Sequence, residues 1–337
     1  MILYSLVAVL AVGLSLPVDN HYENKGFLYT RQQILNRLCL VSVFLLLFLV
    51  SALRLNVGND YAKYVESMHP IRCDAFATIY LFLKAIYQQA DSFPFSFFLF
   101  MALGYYFQTF NTVRYYLALA IALFAIPYVL RKEWGKFILL ILLGATMHKS
   151  LLVVIPLYFL ASRCWKKWQL VLAALFCSTF FFLQDFYLKL VVFLYPTYED
   201  TEYLEGGTSM INILRCAAVL VLALLCYKKC VKENIRNRFY FYCNLGALVM
   251  YVCCSFLPII SRIGYYLTIT HIFFLPALVN GIENEKLKKL CRVGVILAGI
   301  VYFAVFILMK AGENGLRILP YQTFLFHEMV PILSDVT

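Results

Sequence analysis

Six polar side chains interrupt or flank runs that are otherwise apolar: Arg54 and Asp60 in RLNVGNDYAKY, Arg114 in NTVRYYLALAIAL, His148 and Lys149 in ATMHKSLLVV, and Arg262 in FLPIISRIGYY. Their types suit one chemistry. Arginines and a lysine neutralise charge developing on a diphosphate leaving group. An imidazole or a carboxylate draws the proton from an attacking hydroxyl. A charged side chain at bilayer depth costs roughly 2.5–3.5 kcal/mol on insertion scales, so such residues generally mark a function. Each also has a plainer reading. Arginines at span ends snorkel, a lone Asp after Gly58 forms an Asx-turn, and an interior histidine bonds a carbonyl. Convergence from four separate stretches of the chain favours a site.

The elements that must position them are membrane segments. Of 337 residues, 63% are hydrophobic and only 14% charged, more apolar surface than a soluble domain of this size can hide. The net charge of +11 sits in short turns between apolar runs, a topology signal that argues against a nucleic-acid partner. The eleven cysteines show no metal-ligand spacing and read as small apolar fillers. The opening MILYSLVAVLAVGLSLP carries no basic n-region and no small-residue cleavage site, and reads as a first membrane segment. Apolar runs and their flanks predict an all-α integral membrane protein, a polytopic helical bundle of about 12 membrane segments. They lie near 1–17, 33–53, 75–90, 92–111, 112–130, 136–148, 149–161, 168–184, 210–227, 238–258, 263–281 and 290–309.

Basic turns around Lys25–Arg37, Arg131–Lys136, Arg163–Lys167, Lys228–Arg238 and Lys286–Arg292 belong in the cytoplasm. The acidic segment 185–209, with Asp185, Glu199, Asp200, Glu202 and Glu205, belongs outside. Both placements agree only if residues 136–161 enter from the cytoplasm and return to it. That makes a re-entrant pair of half-depth helices with His148 and Lys149 at the tip, surrounded by protein or a water-filled cavity. The same threading turns Arg54, Asp60, Arg114, Arg262, Arg317 and Tyr321 toward the outer face. Asn111–Thr112 is expected to cap the Arg114 helix, whose N-terminus would attract an anion. Tyr105, Tyr106, Tyr115, Tyr116, Tyr265 and Tyr266 lie near the outer polar residues, where they could stack on sugar rings. No internal repeat or Gly-rich phosphate loop is present. A single transmembrane domain of residues 1–337 is expected, with outward-facing loops 54–75 and 185–209.

The succession VGNDYAKY (57–64), NTVRYYLALAIAL (111–123), ATMHKSLLVVIPLYFL (145–160) and SRIGYYL (261–267) resembles the EpsG family, relatives of the Wzy polymerases of bacterial surface polysaccharides. Asn59 stands where that family often has Thr or Ser, and Leu151 where Ala is frequent. The resemblance implies a GT-C-like, inverting glycosyltransferase of the inner membrane that works on its outer face without metal or other cofactor. The donor would be a growing chain on undecaprenyl pyrophosphate. The acceptor would be a lipid-linked oligosaccharide repeat unit, and a separate chain-length regulator is a possible partner. On this logic Arg114 and Arg262 hold the donor diphosphate, and Lys149 and Arg54 lend charge. His148 or its rival Asp60 serves as base, while Arg317 and Tyr321 close over the site. A transporter or flippase of lipid-linked oligosaccharides is the alternative from another class, although it would usually show two related halves and midplane polar groups. An O-antigen ligase or acyltransferase of similar architecture is a third.

Overall fold

A computed structural model describes residues 1–22, 30–66, 70–194, 210–256, 260–312 and 315–325. Among the described residues, regular structure is helical, and the only β-type pairing is one bridge between Arg54 and Thr323. In lipid a helix satisfies its own backbone, so this is the outcome that an apolar chain of this kind demands. The residues form two compact units.

The first unit comprises Met1–Phe124, Leu142–Lys149 and Glu283–Thr337. Helix α1 (Ile2–Ser15) packs on α2 (Arg31–Ala52) and α5 (Phe93–Ala102), and α2 packs on α4 (Ile71–Gln89). A capping box of Thr30 and Gln33 opens α2. Below these helices Asn20 works as a clasp. Its Nδ2 donates to the Ala90 carbonyl at 2.6 Å, and its Oδ1 accepts from the Phe93 N–H at 3.0 Å. Gly104, at φ +76°, separates α5 from α6 (Tyr105–Gln108), and a side chain there would press on the Phe306 ring of α16 (Glu285–Met309). The core is aromatic, with Phe93 stacked on Phe97 at 5.7 Å and Phe82 against Phe100 at 4.9 Å.

The second unit comprises Ala125–Ile141 and Ser150–Ile282. Its axis is α13 (Ile235–Cys253), capped by Asn234, whose Oδ1 accepts from the Arg236 and Asn237 N–H groups. Around it pack α9 (Val154–Ala161), α10 (Lys167–Phe182), α12 (Met210–Leu225), α14 (Ile260–Thr268) and α15 (His271–Asn280). Asn244 ties three of these together. Its Oδ1 lies 2.8 Å from His271 Nε2, and its Nδ2 donates to the Cys216 carbonyl at 3.1 Å. Gly264 brings α14 close to α13, since a Cβ there would overlap the Tyr251 ring and hydroxyl.

Every expected segment meets a helix, but several are broken or shifted. Residues 92–111 divide into α5 and α6, and 263–281 into α14 and α15. Among the described residues, four stretches are long and apolar enough to cross a membrane by themselves: Arg31–Ala52, Val113–Leu130 (of which α7 consists), Ile260–Asn280 and Glu285–Met309. The helix is broken between residues 136–148 and 149–161. Helix α8 (Trp134–Ala145) ends, Thr146–His148 turn, and a 3₁₀ turn (Lys149–Val153) leads into α9. Trp134 meets Phe159 at 5.4 Å and Phe137 stacks on Tyr158 at 6.1 Å, so the start of α8 lies against the end of α9. Residues 54–75 are less of a loop than expected, containing α3 (Tyr61–Glu66) and the first turn of α4. In 185–209, Asp185 belongs to α11 (Gln184–Leu194), whereas the acidic run Glu199–Glu205 lies outside the described residues, as does Lys25.

The close α13–α14 approach gives a direct test. Gly264→Ala should lower the thermal stability of the detergent-purified protein by about 1–3 kcal/mol, the usual toll of overpacking. Tyr251→Ala in the same chain should restore part of the loss, which a melting curve for the double variant would reveal.

Candidate functional site

Helix α2 ends at Ala52, and the strand-like residues that follow pair with the tail. Leu55 N–H donates to the Gln322 carbonyl at 2.9 Å, and Tyr321 Oη donates to the Val50 carbonyl at 2.8 Å. This pairing encloses Arg54, which is only 4% exposed. Its guanidinium lies over the Phe110 ring at 5.0 Å, and Tyr4, Tyr61, Tyr106 and Tyr321 surround it. Among the described residues Nε and Nη1 have no hydrogen-bond partner. Burial pulls its pKa down to about 10, and the neighbouring tyrosines oppose that shift, so the group remains cationic at neutral pH.

The next residues bind this pocket to the start of α7. Gly58, at φ +98°, donates its N–H to the Arg317 carbonyl at 2.8 Å, and any side chain there would run into the Phe110 carbonyl. Asn59 N–H donates to Asn111 Oδ1 and Asn59 Nδ2 to the Gly315 carbonyl, both at 3.0 Å. Asn111, expected as a helix cap, therefore fastens the 57–60 loop. Arg317 Nη2 points to Asn56 Oδ1 at 3.5 Å, with both residues in the left-handed region.

Arg114 then lies over the Tyr64 ring at 5.4 Å. The Tyr64 hydroxyl is raised above its ordinary pKa, first by burial and then by the charge of Asp60, with Arg114 opposing. One residue further along α7, Tyr115 meets the His148 ring edge-on at 5.5 Å. Successive helical residues point about 100° apart, so the imidazole and the guanidinium flank one turn of α7. His148 is half-buried and Lys149 is exposed. Thus Arg54, Asp60, Arg114, His148, Lys149, Arg317 and Tyr321 all belong to the first unit.

Arg262 belongs to the second unit, half-buried in the first turn of α14. Later on that helix Tyr266 is anchored twice: Ser150 Oγ lies 2.9 Å from its hydroxyl, and Tyr158 Oη donates to its carbonyl at 2.9 Å.

Five of the six tyrosines expected to stack on sugars are packed inside, and Tyr265 is half-buried. Tyr105, Tyr106, Tyr115, Tyr116 and Tyr266 are buried, and the Tyr106 hydroxyl is spent on the Leu47 carbonyl at 2.7 Å. Burying an aromatic phenol with a satisfied hydroxyl is simply good packing. Three residues absent from the sequence expectations join the first unit's polar set. Tyr64 supports Arg114. Asp74, buried at the start of α4, lies close enough to act on the Tyr64 hydroxyl. Arg72 places its guanidinium over Phe324 at 5.3 Å. The sequence signal for them was a charged pair, Arg72 and Asp74, opening an apolar run. Among the described residues no three His, Cys, Asp or Glu side chains gather as metal ligands would.

The solitary charge of Arg54 predicts an unusual stability response. Replacing an under-compensated buried ion with an apolar residue of similar volume is often neutral or stabilising by about 1–4 kcal/mol. Arg54→Met should therefore leave the melting temperature of the purified protein unchanged or higher, whereas Phe110→Ala should lower it.

A sequence profile of the EpsG family matches residues 74–323. The matched stretch contains Arg114, His148, Lys149, Arg262, Arg317 and Tyr321, while Arg54 and Asp60 precede it. No curated protein and no solved structure compared with the chain matches it. The profile covers most of the sequence and spans both halves of the polar set, so the chain belongs to the EpsG family.

Proposed function

We propose that this protein polymerises the repeat units of a bacterial surface polysaccharide. Membership of the EpsG family ties it to polysaccharide biosynthesis in a polymerase-like role, and its apolar helices make it a membrane protein. The observation that carries the finer reading is the gathering of Arg54, Asp60, Arg114, His148, Lys149, Arg317 and Tyr321 in one unit, from parts of the chain far apart in sequence.

In this reading the donor is a chain on undecaprenyl pyrophosphate and the acceptor a new lipid-linked repeat unit. The acceptor hydroxyl oxygen forms a bond to the donor's anomeric carbon from the face opposite the leaving group. The bond from that carbon to the diphosphate oxygen breaks, and its electron pair leaves with the diphosphate. Arg114 holds the leaving group, and Lys149 adds charge; for Arg262, in the second unit, the motif SRIGYYL alone supports an anion-binding role. Fixed cations in a site shielded from water stabilise such a developing anion strongly. His148 takes the hydroxyl proton. Its ring is steadied by Tyr115 and by the turn after α8, which support it better than the short α3 start supports the rival base, Asp60. The configuration at the anomeric carbon inverts because there is one displacement.

The α8–α9 fold-back supports the re-entrant arrangement, with His148 and Lys149 carried at its tip. The distribution of Lys and Arg supports an inner-membrane, multi-pass protein whose site faces outward. The whole chain then acts as one transmembrane domain.

Arg114→Ala, Arg262→Ala and His148→Ala should each leave the protein in the membrane, while cells accumulate single repeat units. Loss of a general base costs about 10²–10⁴-fold in rate, so gels of the surface polysaccharide should lose their ladder above one unit. Full-length polymer from His148→Ala would transfer the base role to Asp60, and full-length polymer from all three would end the mechanism. Purified protein given lipid-linked units without an ion gradient should lengthen them; movement across the bilayer without extension would identify a flippase instead.

A further inference from the structure

Two hollows lie along the α2–α4 pair in the first unit. At one end a cleft of about 390 Å³ is lined by Ser51, Arg54, Tyr61, Pro70, Ile71 and Arg72, among others. Further along, a groove of about 460 Å³ is lined by residues that include Leu40, Val41, Phe44, Phe76, Leu83 and Lys84. The helices run antiparallel. Phe44 and Phe48 meet Phe76 at 5.0 and 5.6 Å, and Asn36 Nδ2 reaches the Tyr87 hydroxyl at 3.5 Å. On α4, positions 72, 76, 80, 83, 84 and 87 recur at helical spacing, so cleft and groove follow the same face. From Arg72 to Lys84 that face is about 18 Å long at the helical rise.

The two ends differ in chemistry. Among the described residues the cleft holds two guanidinium groups and no acidic lining residue. One of them, Arg54, is buried with Nε and Nη1 unpartnered among the described residues, and the other, on exposed Arg72, has an aromatic support in Phe324. The groove is hydrocarbon, and Val41 and Phe76 are exposed along it, so a chain can enter sideways from lipid. Its one charge, Lys84, lies at the far end with its ammonium over the Tyr80 and Phe124 rings.

We propose that this strip is the seat of one polyprenyl diphosphate lipid, its diphosphate held between Arg54 and Arg72 and its isoprenoid chain laid along the α2–α4 groove. A free phosphate would use only the cleft, and an uncharged polyprenol only the groove; their succession along one helix face, about one turn apart between Arg72 and Phe76, suits a molecule that has both parts. The assignment rests on the polymerase reading for the role of that lipid. Arg114, His148 and Lys149 do not line the cleft. The diphosphate bound there is therefore the one whose sugar bond stays intact during transfer, that of the acceptor.

The test uses the full chain in nanodiscs of zwitterionic lipid, with undecaprenyl diphosphate, inorganic pyrophosphate and undecaprenol as separate probes. Arg72→Ala removes an exposed head contact, and Val41→Trp fills the groove from an exposed position, so both variants should fold. Arg72→Ala is expected to weaken undecaprenyl diphosphate binding about tenfold, equivalent to about 1.4 kcal/mol, and to weaken pyrophosphate too. Val41→Trp is expected to weaken the lipid and spare pyrophosphate. Lipid binding unchanged in either variant overturns the seat, and so does a wild-type protein that binds pyrophosphate as tightly as the lipid. The two readings fail separately. Polymer made by the wild type, with lipid binding insensitive to both substitutions, removes the seat alone. Lipid binding that responds as expected in a protein that never extends chains removes the polymerase alone.

Discussion

A guanidinium taken out of water, with no acid beside it among the described residues, is the constraint on which the first unit turns. Desolvating an ion costs several kcal/mol even after relaxation, and Arg54 recovers only part of this from the Phe110 ring and the hydroxyl dipoles of the four surrounding tyrosines. Much of the local architecture serves to keep it there. The bridge to Thr323 closes one side, the Tyr4 hydroxyl is turned to the Ile318 carbonyl and that of Tyr321 to Val50, and Gly58 lets the chain pass against Phe110. Many contacts thus go to holding one positive charge in place.

The second unit solves a different problem. A helix in lipid gains nothing by hiding apolar surface from other hydrocarbon, so packing must come from close approach and from buried polar contacts. Gly264 supplies the first by letting α14 touch Tyr251. Asn244 supplies the second, reaching both His271 and the Cys216 carbonyl. Tyr158 and Ser150 fix opposite ends of Tyr266, on the helix that carries Arg262. That arginine thereby stands on a braced helix.

Local patterns in the chain foretold the helices and one of their breaks. Apolar runs with basic turns located the segments, and the surplus of Lys and Arg at 163–167 was enough to demand the interruption near His148 that separates α8 from the 3₁₀ turn. Other features leave no local trace. The pairing of Leu55 with Gln322 joins residues with no shared pattern, and nothing near Tyr106 announces that its hydroxyl belongs to Leu47. Tyrosines close in sequence to polar residues were for that reason misread as sugar platforms. Arg72 and Asp74 were passed over because charges at the start of a span normally mean only its boundary, and their importance depends on what the tail and α3 bring to them. The family profile likewise begins at residue 74, just after the stretch that houses Arg54 and Asp60.

Tyr321 and Val50 are 271 residues apart, and Tyr4 and Ile318 are 314 apart. Translation delivers the chain from its N-terminal side at a few to twenty residues per second. Helix α2 must then wait in the bilayer for tens of seconds before the segment that pairs with its C-terminal end emerges. During that interval the nascent protein has an open, unfinished chamber. The enclosure of Arg54 is therefore completed only after residues 317–323 have been made, and a ribosome that stalls earlier leaves that guanidinium uncovered.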